Sequence, residues 1–364
     1  MSEGEPTTDS RSCPNCGQLS SPSASWCEAC GQDLAADPKP ICVSCGAAEV
    51  ETDGYCHSCG HRQPEPRDHV EVSEEGLAAV SDRGQRHHHN EDAVAVARVG
   101  TETAILVVCD GVSSTPGSAQ VSAVAATATA NALADSLDAD SNPAGSAVAD
   151  EALYAAVEAA QAAAFEDTTG TEIDELNPPS TTLVVAVARV LGDKVAVSVA
   201  WLGDSRAYWI DGEHAELLTT DHEIDGALTR WIGIDAAHHL PQTGHYEFAL
   251  SDTADLVVCS DGMWRYFASE LGEPVNELMG RLKAAGLAGL DLVGAMVEYA
   301  NDQGGHDNIS VAHWAPGSQH EASATTVETP SGGPPSTEPP SDGSPAADPP
   351  TDPTADDPPK EPMQ

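Results

Sequence analysis

The chain predicts an α+β domain of stacked layers, preceded by two small metal-stabilised units. Three observations carry that expectation. Apolar strand-like runs are interrupted by blocks of helix instead of alternating with single helices, the pattern of a layered α+β domain and not of a regular βαβ fold. Four acidic junctions border such runs and lie far apart in the chain: Glu91-Asp92, Asp110-Gly111, Asp261-Gly262 and Asp307-Asn308. Eight of the ten cysteines fall in four Cys-x-x-Cys-Gly repeats.

Taken in order, residues 1–12 are polar and expected to be disordered. Residues 13–61 hold a duplication: Cys13, Cys16, Cys27 and Cys30 recur, displaced by 29, as Cys42, Cys45, Cys56 and Cys59. Paired knuckles at this separation match tetrahedral sites of four thiolates, so two structural zinc ions are expected. Each unit is too small for a core of its own, and metal binding would supply its folding energy. The segment resembles a pair of zinc ribbons. Four cysteines per unit suffice, which leaves His57 and His61 as bystanders.

Residues 62–75 read as a polar linker, with Pro64 and Pro66. The main domain is expected over 76–316. Period-two and continuous apolar runs place strands near 77–81, 93–98 and 103–110. Alanine-rich helices follow near 118–136 and 147–165. Strands then recur near 181–190, 194–201, 205–210, 214–219, 245–250 and 254–260. Helices near 274–285 and 289–302 precede a last strand near 308–314. Residues 317–364 are mostly Pro, Ser, Thr, Asp and Glu, a composition that buries too little to fold and predicts a disordered tail.

Bulk charge narrows the partners. Fifteen Lys+Arg stand against 59 Asp+Glu, a formal net charge of -44. Such a surface repels nucleic-acid phosphate and anionic membrane. Within the first 60 residues only Arg11 and Lys39 are basic, which counts against nucleic-acid binding by the ribbons. No apolar run approaches the length of a membrane span, and the N-terminus lacks signal-peptide character. A cytoplasmic location is the expectation.

The acidic junctions carry the chemistry. Carboxylates where buried strands emerge are costly unless paired or bound to a cation. Read as lacking a matching Lys or Arg, they point to a hard-cation site of the magnesium or manganese kind. Ser81-Asp82-Arg83-Gly84, Asn90-Glu91-Asp92, Asp110-Gly111, Thr181-Thr182-Leu183, Gly203-Asp204-Ser205-Arg206, Leu218-Thr219-Thr220-Asp221-His222, Ser260-Asp261-Gly262 and Asp307-Asn308 follow one another in that order. This ordered set resembles the metal-dependent protein phosphatases of the 2C type, as found in bacteria, over roughly residues 76–314.

That resemblance implies a four-layer α/β/β/α sandwich with a two-metal centre, and hydrolysis of phosphoserine and phosphothreonine in proteins phosphorylated by kinases. By it, Asp110 bridges two Mn2+ or Mg2+ ions and the Gly111 carbonyl coordinates one of them. Asp261 and Asp307 complete the first site, Glu91 serves the second, and Asp92 orients water. The family's phosphate-binding arginine aligns with His87, and neighbouring Arg86 is expected to take its place through a local loop distortion. No histidine follows Asp110-Gly111 to act as general acid. Asp174 or Glu175 is the nearest replacement for a third-metal carboxylate.

Other residues read as structural. Asp204 and Arg206 are expected to fix a turn, Asp221 to cap a helix, and Cys109 and Cys259 to fill core. Adjacent side chains of His87-His88-His89 diverge and cannot share one ion. A catalytically weak phosphatase-fold scaffold that binds phosphoproteins is the rival reading. The ribbons imply a protein partner of their own.

Overall fold

The computed structural model describes residues 11–13, 15–21, 24–31, 40–112, 117–139, 147–168, 177–233, 236, 239–268 and 273–316. Of the stretches expected to be disordered, 1–12 and 317–364, residues 1–10 and 317–364 lie outside the described residues, as do Asp174 and Glu175. Arg11–Ser12 is not disordered but pairs antiparallel with Leu19–Ser20. The strands of the two large sheets are β1 (His69–Glu74), β2 (Leu77–Asp82), β3 (Ala93–Val99), β4 (Thr103–Cys109), β5 (Leu183–Leu191), β6 (Lys194–Leu202), β7 (Arg206–Asp211), β8 (His214–Leu217), β9 (Gln242–Ala249), β10 (Ala254–Cys259) and β11 (Ile309–Trp314). Helices α1 (Ser118–Ala139) and α2 (Asp150–Thr168) follow β4, and α3 (Asp261–Ala268), α4 (Val275–Ala284) and α5 (Gly289–Asp302) lie between β10 and β11.

One antiparallel sheet runs β8-β7-β10-β11-β2-β1 and the other β9-β6-β5-β4-β3. Between them Leu106, Val184, Val197 and Trp201 meet Ala79, Trp209, Leu256 and Trp314. Trp209 of one sheet stacks on Phe248 of the other, ring centroids 4.4 Å apart. Alternate residues of β4 point the opposite way: Ile105 and Val107 pack with Val121, Ala125, Leu133 and Leu153 of α1 and α2. On the far face, Val80, Val257 and Val311 meet Met263, Leu278, Val293 and Met296 of α3–α5. The inner strands β2, β4, β5, β6, β10 and β11 are buried on both faces over most of their length, which is why their sequences are continuous apolar runs and not alternating ones. The result is the four-layer sandwich.

Three elements differ from the sequence reading. The segment 62–75 is not only a linker: residues 66–68 form a 3-10 turn and β1 pairs with β2 from His69↔Asp82 to Glu74↔Leu77. Its composition, HVEVSE, is polar because β1 is an edge strand with a largely exposed surface. No helix begins at Asp221; the chain there enters a two-residue antiparallel pair, Glu223–Ile224 with Ala227–Leu228. A helix absent from the sequence reading, α3, starts at Asp261 itself.

The four cysteine knuckles share one geometry. Gly17, Gly31, Gly46 and Gly60 each have φ 74°, a left-handed conformation that glycine adopts without strain. Each donates its N–H to the carbonyl of the first cysteine in its knuckle, at 2.7 to 2.9 Å. The turn so formed aims both thiols inward. None of the described helices is long and apolar enough to cross a membrane.

Candidate metal centre and active site

Two kinds of ligand cluster emerge. Cys13, Cys16, Cys27 and Cys30 bring their sulfurs within 4.8 Å of one another, as do Cys42, Cys45, Cys56 and Cys59. In each quartet the first and third cysteines are buried and the other two exposed, and none of them is in a disulfide. The Cys45 backbone N–H, more than any other group, pulls Cys42 down to about 6, favouring the thiolate that a metal requires. His57 and His61 stand outside both quartets.

The acidic junctions meet at one end of the sandwich. A cavity of about 540 Å³ is lined by Asp110, Gly111, Thr182, Asp204, Asp261 and Asp307 among others. The aspartates stand at the ends of different strands, Asp110 after β4, Asp204 between β6 and β7, Asp261 after β10 and Asp307 before β11, and close backbone approach brings these junctions together. A Cβ on Gly111 would lie 2.4 Å from the Glu91 carbonyl oxygen, and one on Gly262 would lie 1.9 Å from that of Asn308. Only glycine permits either contact. Asn308 joins the loops: its amide accepts from the Glu91 N–H at 2.8 Å and donates to the carbonyls of Arg83 and His89 at 2.8 and 3.0 Å.

Asp110 is held from behind by the threonine pair. Its carbonyl accepts from the Thr182 N–H at 2.7 Å and from the Thr181 hydroxyl at 3.0 Å, and its N–H donates to Thr182 Oγ1 at 3.1 Å. The pair that seemed a bare sequence marker is therefore the cradle of the central carboxylate.

The electrostatics are those of buried carboxylates crowded together. Burial pushes the Asp110 carboxyl well above its usual range, and the Asp92 and Asp261 charges add to it. Burial likewise lifts Asp204 to about 7, with the Asp261 charge next in effect. Asp261 is raised by burial and then by Asp307. Asp92 is 4% exposed, and burial raises it to about 7. Neither of its carboxylate oxygens makes a hydrogen bond of ordinary geometry, although the Ser260 and Ser310 hydroxyls lie close enough to oppose that rise. The Ser310 hydroxyl beside it instead donates to Ser81 Oγ at 2.8 Å. Several oxygen donors whose negative forms repel one another fit a hard divalent cation. The aspartates gather more loosely than the thiols: among the described residues, only the cysteine quartets meet the 4.8 Å spacing.

Other site residues fall as follows. Glu91 is half-buried and packs its Cβ against Gly111, 2.9 Å from where a Cβ there would sit. His87 places Nε2 3.2 Å from Asp307 Oδ1. Arg86, expected to bind phosphate, is exposed on the same loop, and the hydrogen bonds and ion pairs of the described residues do not include it. His88 turns away toward the Tyr55 hydroxyl, 3.5 Å distant, so His87 and His88 face different partners.

Arg206 and Asp204 are both expected from the sequence to fix a turn. Arg206 does fix a turn, pairing with both oxygens of Asp221 at 3.0 and 2.7 Å. Asp204 does not: it is 6% exposed and lines the metal-type cavity. The carboxylates are also not without a cation, since Arg265 Nη2 lies 2.6 Å from Asp261 Oδ2. The Gly-Asp-Ser-Arg spacing mixes both roles in four residues, and only the fold separates them.

A family model for protein phosphatase 2C matches residues 82–291. Among solved structures, a serine/threonine phosphatase of S. agalactiae is 19% identical and matches with a TM-score of 0.51, covering 66% of this chain and 98% of that one. The Mycobacterium tuberculosis serine/threonine phosphatase PstP/Ppp is 22% identical, with a TM-score of 0.48 and coverage of 68% and 99%. The PPM Ser-Thr phosphatase MsPP from Mycobacterium smegmatis is 26% identical, with a TM-score of 0.47 and coverage of 67% and 99%. No curated protein matches the chain.

Proposed function

The chain belongs to the protein phosphatase 2C family, and from that premise we propose that it removes phosphate from phosphoserine and phosphothreonine in proteins, using two divalent metal ions. The observation that carries this reading is the convergence of Asp110, Asp204, Asp261 and Asp307 on one cavity. Asp110, Asp261, Asp307 and the Gly111 carbonyl are the groups to hold the first Mn2+ or Mg2+, with Asp110 shared and Glu91 serving the second. Bound there, such ions lower the pKa of a water to about 7 and neutralise phosphate oxygens.

The protein's own part is positional. Thr181 and Thr182 hold the Asp110 backbone rigid, and Asn308 locks the loop carrying Glu91 to the loop carrying Asp307. Asp92, buried with neither oxygen in a hydrogen bond of ordinary geometry, is available to accept a hydrogen bond from water entering the cavity. His87, against Asp307, is the imidazole nearest an incoming phosphate. The described residues lining the cavity include no histidine, so on this reading the leaving alkoxide takes its proton from solvent.

The two cysteine quartets are assigned one structural Zn2+ each, because soft thiolates select zinc where carboxylates select harder ions. Leu19, Trp26, Ile41 and Val43 are exposed on these units, which favours a protein partner over nucleic acid. Thiols held out of disulfides fit a reducing cytoplasm.

The decisive experiment is hydrolysis of phosphothreonine and phosphoserine peptides with manganese, magnesium or EDTA present. Metal-dependent release of phosphate is expected. Equal release with EDTA would overturn the two-metal reading, and no release with either metal would favour the scaffold.

A further inference from the structure

We propose that Arg265 is the substrate-binding guanidinium of this site: it neutralises Asp261 while no metal is bound and turns to the phosphoryl oxygens once metal takes Asp261 over. The proposal rests on the phosphatase reading above and adds a residue to it.

Three observations support it. Arg265 is the one Lys or Arg among the described residues that line the cavity, beside Asp110, Asp204, Asp261 and Asp307. In a chain with 15 Lys+Arg against 59 Asp+Glu, a cation at that place is the rarer choice. Secondly, Arg265 and Asp261 lie four residues apart on one face of α3, with Nη2 2.6 Å from Oδ2. Asp261 is 11% exposed whereas the Arg265 side chain is 55% exposed. The carboxylate is therefore fixed in the cavity, and the guanidinium reaches it from the mouth. Thirdly, the other arginines near the site are committed. Arg206 forks onto Asp221 and lies 3.4 Å over the Trp264 ring. Arg83 donates to the His87 carbonyl and sits beside Asp68. Arg86 lies on the exposed loop.

The physical sequence follows from one carboxylate having two possible cations. A divalent ion outbids a single guanidinium for Asp261 because its charge is doubled and compact. The freed guanidinium, on a long and largely solvent-exposed stem, keeps a planar fork of donors that matches two oxygens of a phosphate dianion. Trp264, whose ring centre is 5.8 Å from the Arg265 guanidinium carbon, limits how far the side chain can wander. An ordinary surface pair four residues apart would not place its cation among three further aspartates. That placement separates a functional guanidinium from a helix-stabilising one.

The test compares Arg265→Gln and Arg265→Lys with the unaltered full-length protein. KM and kcat are measured for a phosphothreonine peptide with saturating manganese. Calorimetry separately measures Mn2+ binding and the binding of inorganic phosphate to the manganese-loaded protein. We expect Arg265→Gln to raise KM and weaken phosphate binding by about 10- to 100-fold, the range for losing a charge-assisted fork. The lysine variant should recover part of the loss, and Mn2+ affinity should stay within about threefold of the unaltered protein, a small effect on this scale. Unchanged KM and phosphate affinity in Arg265→Gln, with only Mn2+ affinity altered, would reduce Arg265 to a counter-charge and overturn the proposal. The phosphate calorimetry needs no turnover, so it reads this inference even if the unaltered protein proves inactive, an outcome that would instead sink the phosphatase reading.

Discussion

Arg62 and Asp68 form a forked ion pair, with Nη1 2.6 Å from one carboxylate oxygen and Nη2 3.0 Å from the other. Arg62 bridges to Tyr55 at the edge of the second cysteine unit, and the Asp68 carbonyl accepts the Arg83 N–H at 2.8 Å. Arg83 in turn donates to the His87 carbonyl, and His87 faces Asp307. The second thiolate unit is thus tied by direct contacts to the loop beside the metal-type cavity.

Arg62→Ala should therefore destabilise the protein by about 1–3 kcal/mol, since it leaves the Asp68 carboxylate largely buried without its partner. Both side chains are only 13% and 15% exposed, so solvent screening does little to soften the loss. Denaturant unfolding checks the value. A change under about 0.5 kcal/mol, the scale of an ordinary surface pair, would mean that the contact holds nothing in place.

The same pair predicts a pH dependence. Partial burial pushes the Asp68 carboxyl up, but the Arg62 guanidinium and the Glu65 N–H outweigh it and hold the pKa below the ordinary value. A depressed folded pKa contributes stability above the unfolded value, near 3.9, and loses it as pH falls through the folded value. The gap in melting temperature between unaltered protein and Asp68→Asn should be widest above about pH 5 and should narrow as pH falls below the unfolded value. A gap that does not narrow on acidification would show that Asp68 acts through shape and not charge.

Gly262→Ala is expected to be among the most damaging single changes. Its new Cβ would sit 1.9 Å from the Asn308 carbonyl oxygen, a backbone atom that cannot step aside. A loss above about 3 kcal/mol is expected, with the Asp261 and Asp307 loops forced apart. Gly280→Ala, on α4 with nothing within 4 Å of its Cβ, is the control and should stabilise or leave stability unchanged. Equal melting temperatures for the two variants would contradict the packing of these loops.

Asp261→Asn should lower phosphatase turnover by orders of magnitude while the fold persists, because the amide keeps the shape and removes the charge that a divalent ion needs. Circular dichroism gives the fold and phosphopeptide turnover the effect. Full turnover in this variant would remove Asp261 from the metal centre.

Between the loop residues, His87→Ala should be more damaging than Arg86→Ala, since His87 faces Asp307 at 3.2 Å and Arg86 lies in solvent. The KM for a phosphopeptide in each variant decides it. The reverse order would support the phosphate-binding role expected of Arg86 from the sequence.

The sequence by itself determined whatever depends on short spacing or on strand and helix periodicity. Cys-x-x-Cys-Gly repeats displaced by 29 specify their own knuckles, because a glycine of positive φ and two flanking thiols are a local matter. The buried strands were legible because both their faces meet core, which demands an unbroken apolar run such as Ala104 to Cys109. The edge strand β1 escaped because an exposed edge imposes no such demand and its composition looks like a linker's. What only the tertiary structure decided is which side chains share the cavity. Arg86 and His87 are adjacent in the chain, and a local spacing argument could not choose which one turns inward. Asp204 resembles a turn residue until the Thr182 hairpin and α3 close around it. Arg265 reads as an ordinary helix-surface charge until Asp110, Asp204 and Asp307 arrive from strands tens to hundreds of residues away. The physical reason is that contact across the mouth of a sandwich is set by backbone approach at Gly111 and Gly262, whose partners lie far off in sequence, and no periodicity encodes such a distance.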